Sequence, residues 1–281
     1  MAGRTARMRV TRVGVEGRGE RADLLAAEEP LGIRIDGQAV SLTMRTPGDD
    51  IDLAAGFLVS EGIVASPADI TAMRVCDGQQ CRHDHREYGD DVGNIVDIAL
   101  RPGLAVRTGL GRAFLTSSAC GVCGKASIED LHVPGRFDLS NDRVEVPAAV
   151  LAGMPDTLRH AQRVFERTGG LHAAGLFSAA GDLLAVREDV GRHNAVDKVV
   201  GWALQADLLP LTGRVLLVSG RASFELVLKA VLAGIPVLAA VSAPSSLAAR
   251  LATDAGLTLV GFLRGTSMNV YSGAERVTVL G

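Results

Sequence analysis

Val215-Leu216-Leu217-Val218-Ser219-Gly220-Arg221-Ala222-Ser223 is the stretch that decides the fold. Four consecutive apolar residues with no polar alternation read as a strand buried on both faces, and the glycine and serines after them as a turn into a helix. That helix is predicted from Ala222 to Ala233, stopped by Gly234, and a strand from Val237 to Val241 follows. A helix from Ser245 to Ala255 stopped by Gly256 and a strand from Leu257 to Leu263 repeat the pattern. Upstream come a helix from Pro155 to Arg167 stopped by Gly169-Gly170, a hairpin across Ala180-Gly181-Asp182 and a helix from His193 to Ala206. Apolar strands joined by helices imply right-handed crossovers and a mostly parallel mixed sheet.

The first half is β-rich. Ile33-Arg34-Ile35-Asp36-Gly37, with Val40, Leu42 and Met44, alternates around an Asp-Gly hairpin turn. Pro47-Gly48-Asp49-Asp50 opens a helix through Glu61, Ser66-Pro67-Ala68-Asp69 starts a second short one, and Asn94 to Leu100 is a strand ended by Pro102-Gly103. The expected organisation is α/β: a flexible basic tail over residues 1–30, a smaller β-rich α+β N-terminal domain over 31–135, and an α/β domain over 136–281.

The chain has 281 residues, 47% hydrophobic, with a formal net charge of −3. That near-neutral balance argues against a general nucleic-acid surface or a polybasic membrane binder. Six arginines (Arg4, Arg7, Arg9, Arg12, Arg18, Arg21) precede no apolar h-region, and no apolar run of membrane-spanning length occurs. Four cysteines without an export signal predict a cytoplasmic chain with reactive or ligating thiols rather than a disulfide framework.

Two of those cysteines stand in Thr116-Ser117-Ser118-Ala119-Cys120-Gly121-Val122-Cys123-Gly124-Lys125, where a small-residue loop enters a predicted helix. Spacing i, i+3 puts both sulfurs on one helical face, and the helix dipole and Lys125 favour thiolate. Persulfide carriage, disulfide exchange and metal ligation all suit such a pair. Cys76 and Cys81, with His83 and His85, make a weaker metal-ligand set; the irregular spacing and polar flanks read equally as a solvated loop, and no metal is assigned.

Three segments share glycine, arginine and a short polar side chain at strand ends: Gly191-Arg192-His193-Asn194, Ser219-Gly220-Arg221-Ala222-Ser223 and Arg264-Gly265-Thr266-Ser267. Glycine admits a ligand to the backbone, N–H groups at helix starts bind oxyanions, and arginine donates bidentately. Each alone reads as capping; together they point to a phosphate-bearing ligand. None matches a Walker A loop or GxGxxG. His172, after Gly169-Gly170, reads either as a site residue or as a backbone-bonded histidine, and His193 as the better ligand contact. Glu188 and Asp189 read as capping or orienting groups, and Glu225 as a first-turn helix charge.

Ser118-Ala119-Cys120-Gly121-Val122-Cys123-Gly124, Gly170-Leu171-His172-Ala173-Ala174, Arg187 to Lys198, Ser219 to Glu225, Val241 to Ala248 and Leu257 to Gly265 together resemble the FdhD family of formate dehydrogenase accessory sulfurtransferases. The resemblance runs in order from about Ile33 onward. It implies a sulfurtransferase that takes sulfur from a cysteine desulfurase and passes it to the bis-molybdopterin guanine dinucleotide cofactor (bis-MGD) before insertion into the formate dehydrogenase catalytic subunit. It also implies a homodimer, a cytidine-deaminase-like C-terminal domain, a persulfide on Cys120 with Cys123 as partner thiol, and cofactor binding through Phe262, Leu263, Arg264, Gly265, Thr266 and Ser267. Arg192, His193, Ser219, Arg221 and His172 complete the expected cofactor-binding set, and GDP is expected to mimic part of that cofactor.

Three rivals remain. A zinc deaminase needs H-x-E before P-C-x-x-C, but His172-Ala173-Ala174 lacks the glutamate, follows the CxxC, and Ala119 replaces the proline. A thioredoxin-like oxidoreductase needs a strand before its CxxC, and none is clear. A non-catalytic chaperone that binds bis-MGD would act without either thiol.

Overall fold

The computed structural model describes residues 3–76, 93–104 and 136–279. It begins with an antiparallel hairpin, β1 (Thr5–Gly14) and β2 (Gly17–Ala26), paired in unbroken register from Thr5↔Ala26 to Gly14↔Gly17. The expected flexible tail is therefore an ordered ribbon. Its two faces are largely exposed, so its arginines and threonines carry no apolar period for a sequence reading to catch. Arg4 anchors its base through an ion pair to Asp49 at 2.6 Å and a carbonyl that accepts from Ala27 N.

β3 (Glu29–Ile35) and β4 (Gln38–Arg45) follow, joined at Asp36-Gly37. Both turn residues have positive φ, 48° and 78°, as the two-residue Asp-Gly hairpin requires. After α1 (Asp50–Ser60) come a 3-10 turn at Pro67–Asp69, β5 (Ile70–Val75) and β6 (Ile95–Leu100). These strands form a four-stranded sheet in the order β4-β3-β6-β5.

The remaining elements are β7 (Val146–Pro147), α2 (Ala148–Ala161), α3 (Arg163–Thr168), β8 (His172–Ser178), β9 (Leu183–Asp189) and α4 (Arg192–Gln205). They continue with β10 (Arg214–Val218), α5 (Phe224–Leu232), β11 (Val237–Ala240) and α6 (Ser246–Asp254). β12 (Thr258–Arg264), β13 (Ser267–Ser272) and β14 (Val277–Thr278) close the chain. The helix predicted from Pro155 instead starts at Ala148, keeps Pro155 inside it, and breaks at Gln162.

A six-stranded sheet in the order β13-β12-β11-β10-β8-β9 forms the centre. β10, β11 and β12 are mutually parallel, whereas β8–β10, β8–β9 and β12–β13 are antiparallel. The mostly parallel sheet is thus corrected to a parallel centre with antiparallel flanks. The tight connection through Gly265-Thr266 leaves β13 no direction but antiparallel, since a parallel return needs a long crossover.

Alternation along β10 explains its unbroken apolar run. Val215 and Leu217 pack under α2 with Leu151, Met154 and Leu158, while Leu216 and Val218 face the opposite layer with Val196, Val200 and Leu226. That second layer also holds Leu31, Ile33, Val96 and Ile98 of the four-stranded sheet. One apolar core therefore joins the N-terminal strands to α4, α5 and α6. The expected domain boundary at 135/136 falls at the edge of residues outside the description.

α1 and α4 cross with backbones in direct contact. A Cβ on Gly56 would overlap the Asp197 carbonyl, and one on Gly201 the Asp52 carbonyl, so both positions require glycine. Among the described residues, no helix is long and apolar enough to cross a membrane.

Candidate functional site

The carboxyl ends of β10, β11 and β12 are stitched into one ledge. Ser242 N donates to Gly220 O at 3.3 Å, Phe262 N to Ser242 O at 3.2 Å, and Ala222 N to Ala243 O at 3.2 Å. β8 runs antiparallel to β10, so His172 starts at this same edge, and Asp189 at the end of β9 lies opposite it. Ser219 ties the edge inward, its Oγ accepting from Ala173 N at 2.9 Å. A Cβ on Gly220 would lie 3.4 Å from His172 Nδ1, which places that imidazole against the glycine turn. Ligands of open α/β sheets settle beyond strand carboxyl ends, and all three Gly-Arg segments meet there.

α4 reaches the edge through a buried polar knot. Asp189 is fully buried; its Oδ2 accepts from Lys198 Nζ at 2.8 Å and Thr46 N at 3.1 Å, and its Oδ1 from Gly191 N at 2.8 Å and Asn194 Nδ2 at 3.0 Å. Asn194 Nδ2 also donates to Met44 O and Lys198 Nζ to Thr46 O. The end of β4 thereby fixes the first turn of α4. One turn further, Lys229 Nζ meets both oxygens of Asp197 at 2.7 and 2.8 Å, and Ser60 Oγ donates to Asp197 Oδ1. Buried carboxylates satisfied on every side keep the helix in one position.

On this frame stands a basic cluster. Burial lowers the His172 pKa, and Arg192, His193 and Arg221 push it the same way against the opposing pull of Asp189. The four basic side chains therefore share one electrostatic neighbourhood. His193 Nε2 lies 2.8 Å from Glu225 Oε2 and 3.2 Å from Ser223 Oγ, which fixes its ring. Among the described residues, two buried side-chain atoms at this edge have no hydrogen-bond partner, Arg192 Nε and Glu225 Oε1. Each such orphan costs about 1–3 kcal/mol in the free protein.

Of the expected cofactor-binding residues, His172, Arg192, His193, Ser219 and Arg221 converge at this edge. Phe262 is 40% exposed with φ 51°, and Arg264 Nε donates to Val241 O at 2.9 Å. Gly265 turns with φ 53°, Thr266 completes the turn, and Ser267 Oγ donates to Arg264 O. Leu263 is fully buried in the apolar layer under α2 and offers no surface to a ligand.

The expected catalytic residues Cys120 and Cys123 lie outside the described residues, as do Cys81, His83 and His85. Cys76 is buried and disulfide-bonded. Among the described residues, no group of three or more His, Cys, Asp and Glu is arranged to hold a metal ion.

Glu225 and the knot of Thr46, Asp189, Asn194 and Lys198 were not among the expected site residues. A carboxylate two residues after the Ser-Gly-Arg-Ala-Ser turn, beyond Phe224, is the one signal that pointed to Glu225. Glu188 caps, but at α3, accepting from Val164 N at 2.9 Å and Phe165 N at 2.7 Å. Asp189 ties down the first turn of α4, accepting from Gly191 N and Asn194 Nδ2.

A sequence model of the FdhD/NarQ family matches residues 26–278. The chain is 56% identical over 278 residues to a protein of Nocardia farcinica named sulfur carrier protein FdhD, covering 99% of this chain and 96% of that one. A Streptomyces coelicolor protein of the same name is 55% identical over 277 residues, covering 98% and 96%. A crystal structure of a candidate formate dehydrogenase accessory protein from Desulfotalea psychrophila superposes with TM-score 0.75 at 25% identity, covering 98% of this chain and 100% of that one.

Proposed function

The chain belongs to the FdhD/NarQ family, and from that premise we propose that it is a sulfur carrier in formate dehydrogenase maturation. Sulfur arrives from a cysteine desulfurase and leaves to bis-MGD, which is the acceptor substrate. Cys120 as thiolate attacks the terminal sulfur of the donor's persulfide. A new S–S bond forms, the donor's S–S bond breaks, and the donor thiolate departs with the electron pair. For delivery, the Cys123 thiolate attacks the Cys120 sulfur of the persulfide. A Cys120–Cys123 S–S bond forms, the persulfide S–S bond breaks, and the outer sulfur leaves with the electron pair, at the sulfide level, to bis-MGD.

The observation that carries this reading is the convergence of three Gly-Arg segments with His172 and His193 on one sheet edge. Arg192 and Arg221 supply cationic donors beside the glycine turns, so the donor set fits a pyrophosphate-bearing molecule, and Arg192 Nε–H, which has no partner among the described residues, is left for an acceptor elsewhere on the same substrate. His172, whose pKa is lowered by burial and then by the neighbouring Arg192, His193 and Arg221, adds a hydrogen-bonding group that resists taking up a further charge. The exposed Phe262 and the turn through Arg264 to Ser267 complete the cradle. The central sheet is read as a cytidine-deaminase-like scaffold whose deaminase glutamate is missing beside His172, consistent with binding rather than deamination. We place the protein in the cytoplasm as a homodimer.

Complementation tests the function. In a host lacking its own carrier, this protein restores formate dehydrogenase activity and the Cys120→Ala variant does not. Full activation by a Cys120→Ala/Cys123→Ala double variant would overturn sulfur carriage in favour of a cofactor-binding chaperone.

A further inference from the structure

Among the described residues, the two buried side-chain atoms without a partner are not scattered. Arg192 Nε is a donor at the start of α4, and Glu225 Oε1 is an acceptor in the first turn of α5. They are linked through His193, which follows Arg192 in the chain and meets the other Glu225 oxygen at 2.8 Å. Every route to satisfying both constrains the ligand. A phosphate would suit Arg192 and repel Glu225; an ammonium would suit Glu225 and repel Arg192. A ring edge with a carbonyl oxygen next to an N–H satisfies both without net charge, and an adjacent exocyclic amine gives the carboxylate a second donor.

We propose that Arg192 and Glu225 form a recognition pair for a 2-amino-lactam edge, the arrangement shared by guanine and pterin rings. Glu225 is then a specificity-determining residue, held by His193 so that Oε1 faces the ligand. This rests on the reading that a guanylated pterin binds at this edge, and it states which part of that molecule selects it. Adenine fails the pair because it presents an amine where Arg192 needs an acceptor and a ring nitrogen acceptor where Glu225 needs a donor.

Calorimetric titration of the full-length protein with GDP, IDP, ADP, XDP and 6-hydroxymethylpterin tests the pair. The wild-type protein is expected to bind GDP about tenfold or more tighter than ADP, with IDP between them. Glu225→Gln keeps size and an acceptor toward His193 but turns the free position into a donor. It is expected to bring GDP down to the ADP level, leave ADP unchanged and strengthen XDP, whose 2-oxo group accepts from the new amide. Loss of pterin binding in Glu225→Gln with GDP unchanged would support the pair and assign it to the pterin ring. GDP and pterin binding both unchanged, or GDP and ADP weakened equally without a gain for XDP, would overturn it. A wild-type protein that binds none of these probes would instead overturn the underlying cofactor reading, and the pair with it.

Discussion

Asp189 and Lys198 form an ion pair at 2.8 Å with both side chains sealed from solvent, and the first turn of α4 hangs from it. Asp189 reaches back to Gly191 N, and Lys198 reaches across to Thr46 O of the N-terminal half. The first turn of α4, which carries Arg192 and His193 of the basic cluster, is held in place by this buried charge pair.

Replacing one partner leaves the other charge buried alone. Lys198→Met is expected to lower stability by about 3–5 kcal/mol, measured by urea unfolding. Adding Asp189→Asn should return part of that loss, since the two sites share one network. A Lys198→Met protein as stable as wild type would show that the knot does not hold α4.

The crossing of α1 on α4 makes a second prediction. Gly201→Ala pushes a methyl into the Asp52 carbonyl, so the helices must separate, at an expected cost of about 1–3 kcal/mol or more. An exposed glycine such as Gly153, in the interior of α2 with open space around its Cβ position, should gain stability on the same change. Parallel urea titrations of the two variants check the contrast.

These two sites also show what could be read in the sequence. The strands of the central sheet were legible because β10, β11 and β12 are buried on both faces and leave unbroken apolar runs, and the Asp36-Gly37 turn announces itself chemically. The β1–β2 ribbon was not, because neither face is buried. β13 was missed because its exposed alternation, in Ser267 to Ser272, reads as polar loop. The site was half legible. Glycine and arginine at strand ends pointed to the edge, but the partners Thr46–Asp189 and His193–Glu225 are 143 and 32 positions apart in chain numbering, and only packing brings them together. A single carboxylate at a helix start looks like a capping charge until the fold supplies its histidine.

His172 sets a pH dependence. Its folded pKa lies below the ordinary value of about 6.5, so the unfolded chain binds its proton more readily and stability falls as pH drops below that value. The contribution is fully present above about pH 6.5 and is lost toward the lower folded value. His172→Gln, which cannot be protonated, should flatten this acid limb in melting temperatures recorded from pH 5 to 7.5. An identical acid limb in both proteins would show that His172 is not the group responsible.

The central claim is that Cys120 accepts sulfur. Mass spectrometry of the protein after incubation with a cysteine desulfurase and cysteine tests it most directly, because a bound persulfide adds one sulfur, ~32 Da, to one peptide. The account predicts that adduct on the Cys120 peptide of the wild-type protein and its absence from Cys120→Ala. An adduct of that mass that persists in Cys120→Ala, or none on the wild-type protein, would contradict it.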